Sequence, residues 1–171
     1  MNAPELAADA VGRIRDLVHS IADGLDPDQL AVQPGGSANS IGWLLWHVSR
    51  VEDHHVAGLM GDEQLWISDG HAAALGFDED PQNVGYGHSA AEAAAVRIAQ
   101  PTRLLAYHDA VTDRSLAYLS TLSDADLDRI VDESYTPPVT AGVRWMSVLS
   151  DSLQHLGQAA YARGQLGWRA Q

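Results

Sequence analysis

The spacing of the apolar residues constrains this chain most: they return every three or four positions over four long stretches. Leu6, Ala10, Ile14, Leu17, Val18 and Ile21 fall on one face of a helix from Pro4 to Gly24. Gly24 stops it, and Asp26-Pro27 opens a short helical turn, because the fixed φ of proline suits a first helical position. After a loop at Gln33-Pro34-Gly35-Gly36, Asn39 or Ser40 caps a second helix that runs to Met60, with Gly61 as its stop. A third helix is predicted from Thr102 to Leu122, with Leu105, Val111, Leu116 and Leu119 among its apolar positions. A fourth is predicted from Thr140 to Trp168. Ser123 with Asp126 predicts a short turn after the third. In the long crossover between helices two and three, Ser89 with Glu92 forms a capping box and predicts a short helix.

Two short connections and one long crossover fit an all-α fold, a four-helix bundle whose facing helices can hold a metal. A faint echo supports it: each half reads long helix, Leu-x4-Leu (Leu25 and Leu30, Leu122 and Leu127), loop, then a helix bearing His47 or Asp151 and His155. A length of 171 residues suits a single domain, residues 1–171, with its own core.

Composition narrows the chemistry. The net charge of −13, from 23 acids against 10 bases, repels phosphate backbones, and no basic cluster interrupts it, so nucleic acid is not the expected partner. The acidity itself reads simply as solubility. No apolar stretch approaches the roughly 18 residues of a membrane helix, and the N-terminus lacks a basic start followed by an apolar run. A cytoplasmic protein is expected. There is no cysteine, which excludes disulfides, thiolate metal sites and a protein-borne sulfur nucleophile. There is no lysine either, which excludes Schiff-base chemistry. Sulfur or amine chemistry would need an external nucleophile. The chain has no Gly-x-Ser-x-Gly elbow, phosphate-binding loop or dinucleotide fingerprint, and Gly85-Tyr86-Gly87-His88 reads as a loop turn.

Asp151 and His155 stand four apart on the fourth helix, one turn apart on one face, with Cβ atoms roughly 5–6 Å apart. That spacing lets both reach one ion, although a surface ion pair has the same spacing. His47 lies in the apolar run Ile41-Gly42-Trp43-Leu44-Leu45-Trp46-His47-Val48, where a buried ring must find a partner. That partner is either a backbone carbonyl or a metal shared with Asp151 and His155. In the second case the two histidines and one carboxylate leave positions open for water or substrate. His54 is seven residues past His47, roughly 10.5 Å along the axis, and reads as packing or pocket lining. His19, His55, His71, His88 and His108 read as surface or loop residues. Gly157 suggests close helix contact, Gln158 a hydrogen bond behind His155, Arg163 a salt bridge or an anion anchor, and Trp43, Trp46 and Trp145 core.

Four segments in order carry a family resemblance: Ser40-Ile41-Gly42-Trp43-Leu44-Leu45-Trp46-His47, Gly85-Tyr86-Gly87-His88-Ser89, Val139-Thr140-Ala141-Gly142-Val143-Arg144, and Asp151-x3-His155-Leu156-Gly157-Gln158-Ala159-Ala160-Tyr161-x-Arg163-Gly164. Together they resemble the DinB-like superfamily over nearly the whole chain, closest to its actinobacterial, mycothiol-dependent branch (mycothiol S-transferase and maleylpyruvate isomerase-like). The resemblance implies a four-helix bundle, usually a homodimer, with zinc or nickel held at His47, Asp151 and His155. Many members carry a third histidine where this chain has Asp151, and the related isomerases use a carboxylate there. It further implies a thiol transferase that joins a low-molecular-weight thiol such as mycothiol to an electrophile, the thiol arriving as cosubstrate. A non-catalytic metal-binding stress-response module and a metal-dependent hydrolase are the rival expectations. No general base is assigned; His54 is the candidate.

Overall fold

Each long helix begins where a side chain or a proline relieves an unpaired backbone N–H. In the computed structural model, which describes residues 1–168, Asn2 accepts from the Glu5 N–H at 2.8 Å and the Glu5 carboxylate returns to the Asn2 N–H, opening α1 (Ala3–Ala22). Ser40 accepts from the Trp43 N–H at 3.1 Å and opens α3 (Ile41–Met60), which ends at Gly61 with φ +75°. Thr140 does the same for α8 (Ala141–Gln165), and proline opens α7 (Pro101–Leu119). Such caps stabilise a helix by about 1 kcal/mol each. The short helices are α2 (Pro27–Leu30), α4 (Leu65–Ser68), α5 (His71–Leu75) and α6 (Ala90–Ala95). The Ser89 capping box starts α6 as predicted, whereas α4 and α5 were not foreseen.

The chain is mostly helical, but the all-α expectation needs one correction. Strands β1 (Ile130–Asp132) and β2 (Val139–Thr140) pair antiparallel ahead of α8, with Ile130 opposite Thr140. The turn through Tyr135, Pro137 and Pro138 folds the chain back, and its β-branched flanks suit a short ladder.

Among the long helices, α3 packs against α7 and α8, and α1 packs against the same two. Val11, Ile14, Val18 and Ile21 of α1 are buried against Leu44, Leu45 and Val48 of α3, Tyr107 and Val111 of α7, and Leu149 and Leu156 of α8 within one core. Leu6 and Leu17 depart from the expected stripe and are exposed, because the buried stripe steps 11, 14, 18, 21 and leaves both at its margin. Among the described residues no helix is long and apolar enough to cross a membrane.

Two buried charges of α3 tie down the crossover. Asp53 accepts from the N–H groups of Leu65 and Trp66 at 3.0 and 2.8 Å, from Tyr107 at 2.8 Å, and pairs with Arg114. Arg50 donates to Gln64 at 2.8 Å and to the carbonyls of Asp80, Pro81 and Asn83 at 3.3 Å, with its guanidinium over Trp66. The stretch 80–83 is thereby fixed against the middle of α3.

Candidate metal centre

Arg50 sits three residues past His47, so the segment it pins continues directly over that histidine. The His47 Nδ1–H donates to the Val84 carbonyl, and Nε2 is left pointing toward α8, 3.5 Å from Asp151 Oδ2. His155 behaves alike. Its Nδ1–H donates to Gln158 Oε1 at 3.0 Å, and its Nε2 lies 3.5 Å from Asp151 Oδ1. Both rings thus turn Nε2 toward the Asp151 carboxylate, the tautomer that metal-bound imidazoles adopt when a second acceptor takes the other N–H. The two ring centroids are 4.7 Å apart and nearly perpendicular.

One ligand atom from each of His47, Asp151 and His155 lies within 4.8 Å of the others. Bonds of about 2.0–2.2 Å to a tetrahedral ion separate its ligands by roughly 3.3–3.6 Å, and each imidazole Nε2 lies 3.5 Å from one carboxylate oxygen, His47 from Oδ2 and His155 from Oδ1 of Asp151. Asp151 Oδ2 is buried with no hydrogen-bond partner among the described residues, as expected of an oxygen meant for an ion. Half-burial opposes ionisation of Asp151, yet His155 and His47 on either side hold its carboxyl well below the usual range. Asp151 in turn raises His155. The residues present fit a divalent cation held by two imidazoles and one carboxylate.

A shell that the spacing did not reveal surrounds these three. Trp43 is stacked on His47, with centroids 4.7 Å apart and planes at 12°, so it supports the ring and is more than core filling. Its indole N–H donates to His88 Nδ1 at 3.2 Å, and His88 Nε2–H reaches Asn83 Oδ1 at 3.0 Å. Gly85 has φ +90°, and a Cβ there would lie 2.9 Å from Trp43 and Trp46 and 3.0 Å from His47 Nδ1. The Gly85-Tyr86-Gly87-His88 loop turn is therefore the wall of the centre, and its paired glycines were the available sign.

Other expectations fare unevenly. His54 is outside the three-ligand group, its Nδ1 lying 3.2 Å from both the Pro81 carbonyl and the Gln64 amide. His108 is buried in α7 beside Ser49, at 3.1 Å, and not a surface residue; burial pushes it down to about 4. Gly157 is exposed, with nothing close to where its Cβ would be, so no helix contact explains it. Arg163 donates to the carbonyls of Ser20, Ile21 and Trp168 and closes the C-terminal end of α1.

Fold and site together define a helical protein with a two-histidine, one-carboxylate centre between α3 and α8. The chain belongs to the DinB superfamily, whose model matches residues 10–159. It is similar to a conserved protein from Enterococcus faecalis known from a crystal structure, with 27% identity, a TM-score of 0.87, and coverage of 95% of this chain and 96% of that one. No curated protein matches it significantly.

Proposed function

We propose that this protein is a metal-dependent thiol transferase, with His47, Asp151 and His155 holding one zinc or nickel ion. The observation that carries the reading is the convergence of two Nε2 lone pairs on the Asp151 carboxylate, each ring fixed from behind. A dication held by two neutral imidazoles and one carboxylate has net charge +1, which favours a thiolate over a thiol and lowers the thiol pKa. Three protein ligands leave room for one exogenous ligand. With no cysteine in the chain, the sulfur must come from a small thiol, and the resemblance to the mycothiol-dependent branch favours mycothiol. Asp151 supplies the negative charge, the Val84 carbonyl and Gln158 hold the imidazoles in register, and Trp43 with the 83–88 loop walls off one side.

We further read the four long helices as a four-helix bundle that works in the cytoplasm as a homodimer. The apolar groove between α1 and α8, where Leu6, Met146 and Leu153 are exposed, is the face offered to a second copy.

The test is turnover of mycothiol, with glutathione and cysteine beside it, against a panel of alkylating and unsaturated electrophiles by the metal-loaded protein. Thiol consumption that disappears in His155→Ala supports the reading. Turnover without thiol would make the protein a hydrolase, and metal binding with no turnover at all would leave a binding module.

A further inference from the structure

The seam between α3 and α8 carries a second cluster of unspent polar groups. The two helices run antiparallel here: His47 faces Asp151 and His155, while Gly58 and Leu59 share a pocket with Arg144. Seven residues separate His47 from His54, and seven separate Arg144 from Asp151. Both helices therefore step about 10.5 Å in the same direction, from the metal ligands to this pocket. At that level His54, His55, Asp132 and Arg144 line a cavity of about 290 Å³.

Asp132 is fully committed. Its Oδ2 accepts from Arg144 at 3.1 Å, and its Oδ1 accepts from the Ser134 N–H and hydroxyl at 3.0 and 2.6 Å. Arg144 is not: among the described residues that bond is its sole hydrogen bond, which leaves Nε and Nη1 as donors. His55 makes no hydrogen bond among the described residues, and its ring meets that of His54 edge-on, at 5.1 Å between centroids. Burial, and next the Arg144 charge, push His55 down to about 4, so at neutral pH it is an uncharged ring with one N–H to give. His54 spends Nδ1 on Pro81 and Gln64 and keeps Nε2. A guanidinium with spare donors beside two imidazoles offers the N–H groups that a small oxyanion takes, because a fork of N–H groups matches a carboxylate.

We propose that this pocket is a subsite for a carboxylate on the substrate, one heptad along the α3–α8 seam from the metal ligands, so that one molecule spans both. The spanning part rests on the thiol-transferase reading, while the anion subsite does not.

Two arms separate them. In the first, acetate is titrated into the full chain while the ring C–H signals of His54 and His55 are followed by NMR. We expect a saturable shift of both, about tenfold weaker in Arg144→Met. Asp132→Asn, which frees the guanidinium, is expected to bind acetate more tightly than the parent, a gain that misfolding cannot mimic. No shift, or the same affinity in all three proteins, overturns the subsite. In the second arm, mercaptocarboxylates of increasing chain length are bound to the zinc-loaded protein. Affinity that peaks at one length, and loses the peak in Arg144→Met, supports spanning. Affinity indifferent to length overturns spanning. In turnover, the cosubstrate whose KM rises in Arg144→Met is the one that carries the carboxylate.

Discussion

Gln158 Oε1 lies 3.0 Å from His155 Nδ1, one turn further along the same face of α8, and it fixes which nitrogen of that ring is left for a metal. Its side chain is exposed, so its value is in orientation and not in packing. Gln158→Leu should weaken metal affinity by about 10–100-fold, the usual effect of removing such a partner. Thermal stability of the metal-free protein should change little. Competition with a chelating dye measures the first and calorimetry the second; unchanged affinity would mean that Gln158 does not orient the ring.

Gly85 should tolerate no side chain. In Gly85→Ala the new methyl meets two indoles and His47 Nδ1 at about 3 Å, from a backbone at φ +90° that alanine rarely adopts. We expect a loss of about 1–3 kcal/mol in denaturant unfolding, together with weaker metal binding, because relief requires the His47 ring to move. Stability loss with intact metal affinity would show that the 83–88 loop is only a cover.

Asp53 is the anchor of the crossover. Asp53→Ala removes the charge that Arg114 faces and strips acceptors from Leu65, Trp66 and Tyr107 in a buried place. The cost should be about 3–5 kcal/mol in chemical denaturation. A cost below 1 kcal/mol would mean that the crossover is held chiefly by its aromatic cluster.

Glu52 gives a pH dependence of definite sign. It is buried, with Oε1 unpartnered among the described residues, and faces Ser115 and Arg114 of α7 and Arg15 of α1. Burial raises it to about 7, against an ordinary value of 4.5. Below 4.5 it is protonated folded and unfolded alike. As pH rises from 4.5 to 7 the unfolded chain releases the proton first, so folding stability falls by on the order of 3 kcal/mol. Glu52→Gln should therefore gain on the parent across that window and hold the gain above it. His108, pushed down to about 4, acts in the opposite sense: its contribution is present above 6.5 and lost as pH falls toward 4. Urea unfolding of parent and variant at pH 4, 6 and 8 reads the difference, and a difference constant in pH would contradict it.

Much of this was legible in the chain. Ser40, Gly61 and Thr140 set helix ends that the structure keeps, because caps are local chemistry. The cluster that the structure brings together was legible because Asp151 and His155 share a helical face and His47 is polar in an apolar run. His47 satisfied two rival readings at once: its Nδ1 takes a backbone carbonyl while its Nε2 faces α8. The 83–88 wall was legible only as a paired-glycine turn; its place over His47 depends on Arg50 gathering distant carbonyls, a pairing that periodicity does not encode. The β1–β2 ladder and α4–α5 were missed for the same reason. They are short, and tertiary contacts decide them.

The central claim is that His47, Asp151 and His155 hold one metal ion. Elemental analysis of the purified protein beside His155→Ala tests it directly. The account predicts close to one equivalent of zinc or nickel in the parent and loss of it in the variant, with the helical circular dichroism of both alike. Negligible metal in both, after reconstitution with zinc and with nickel, would contradict it.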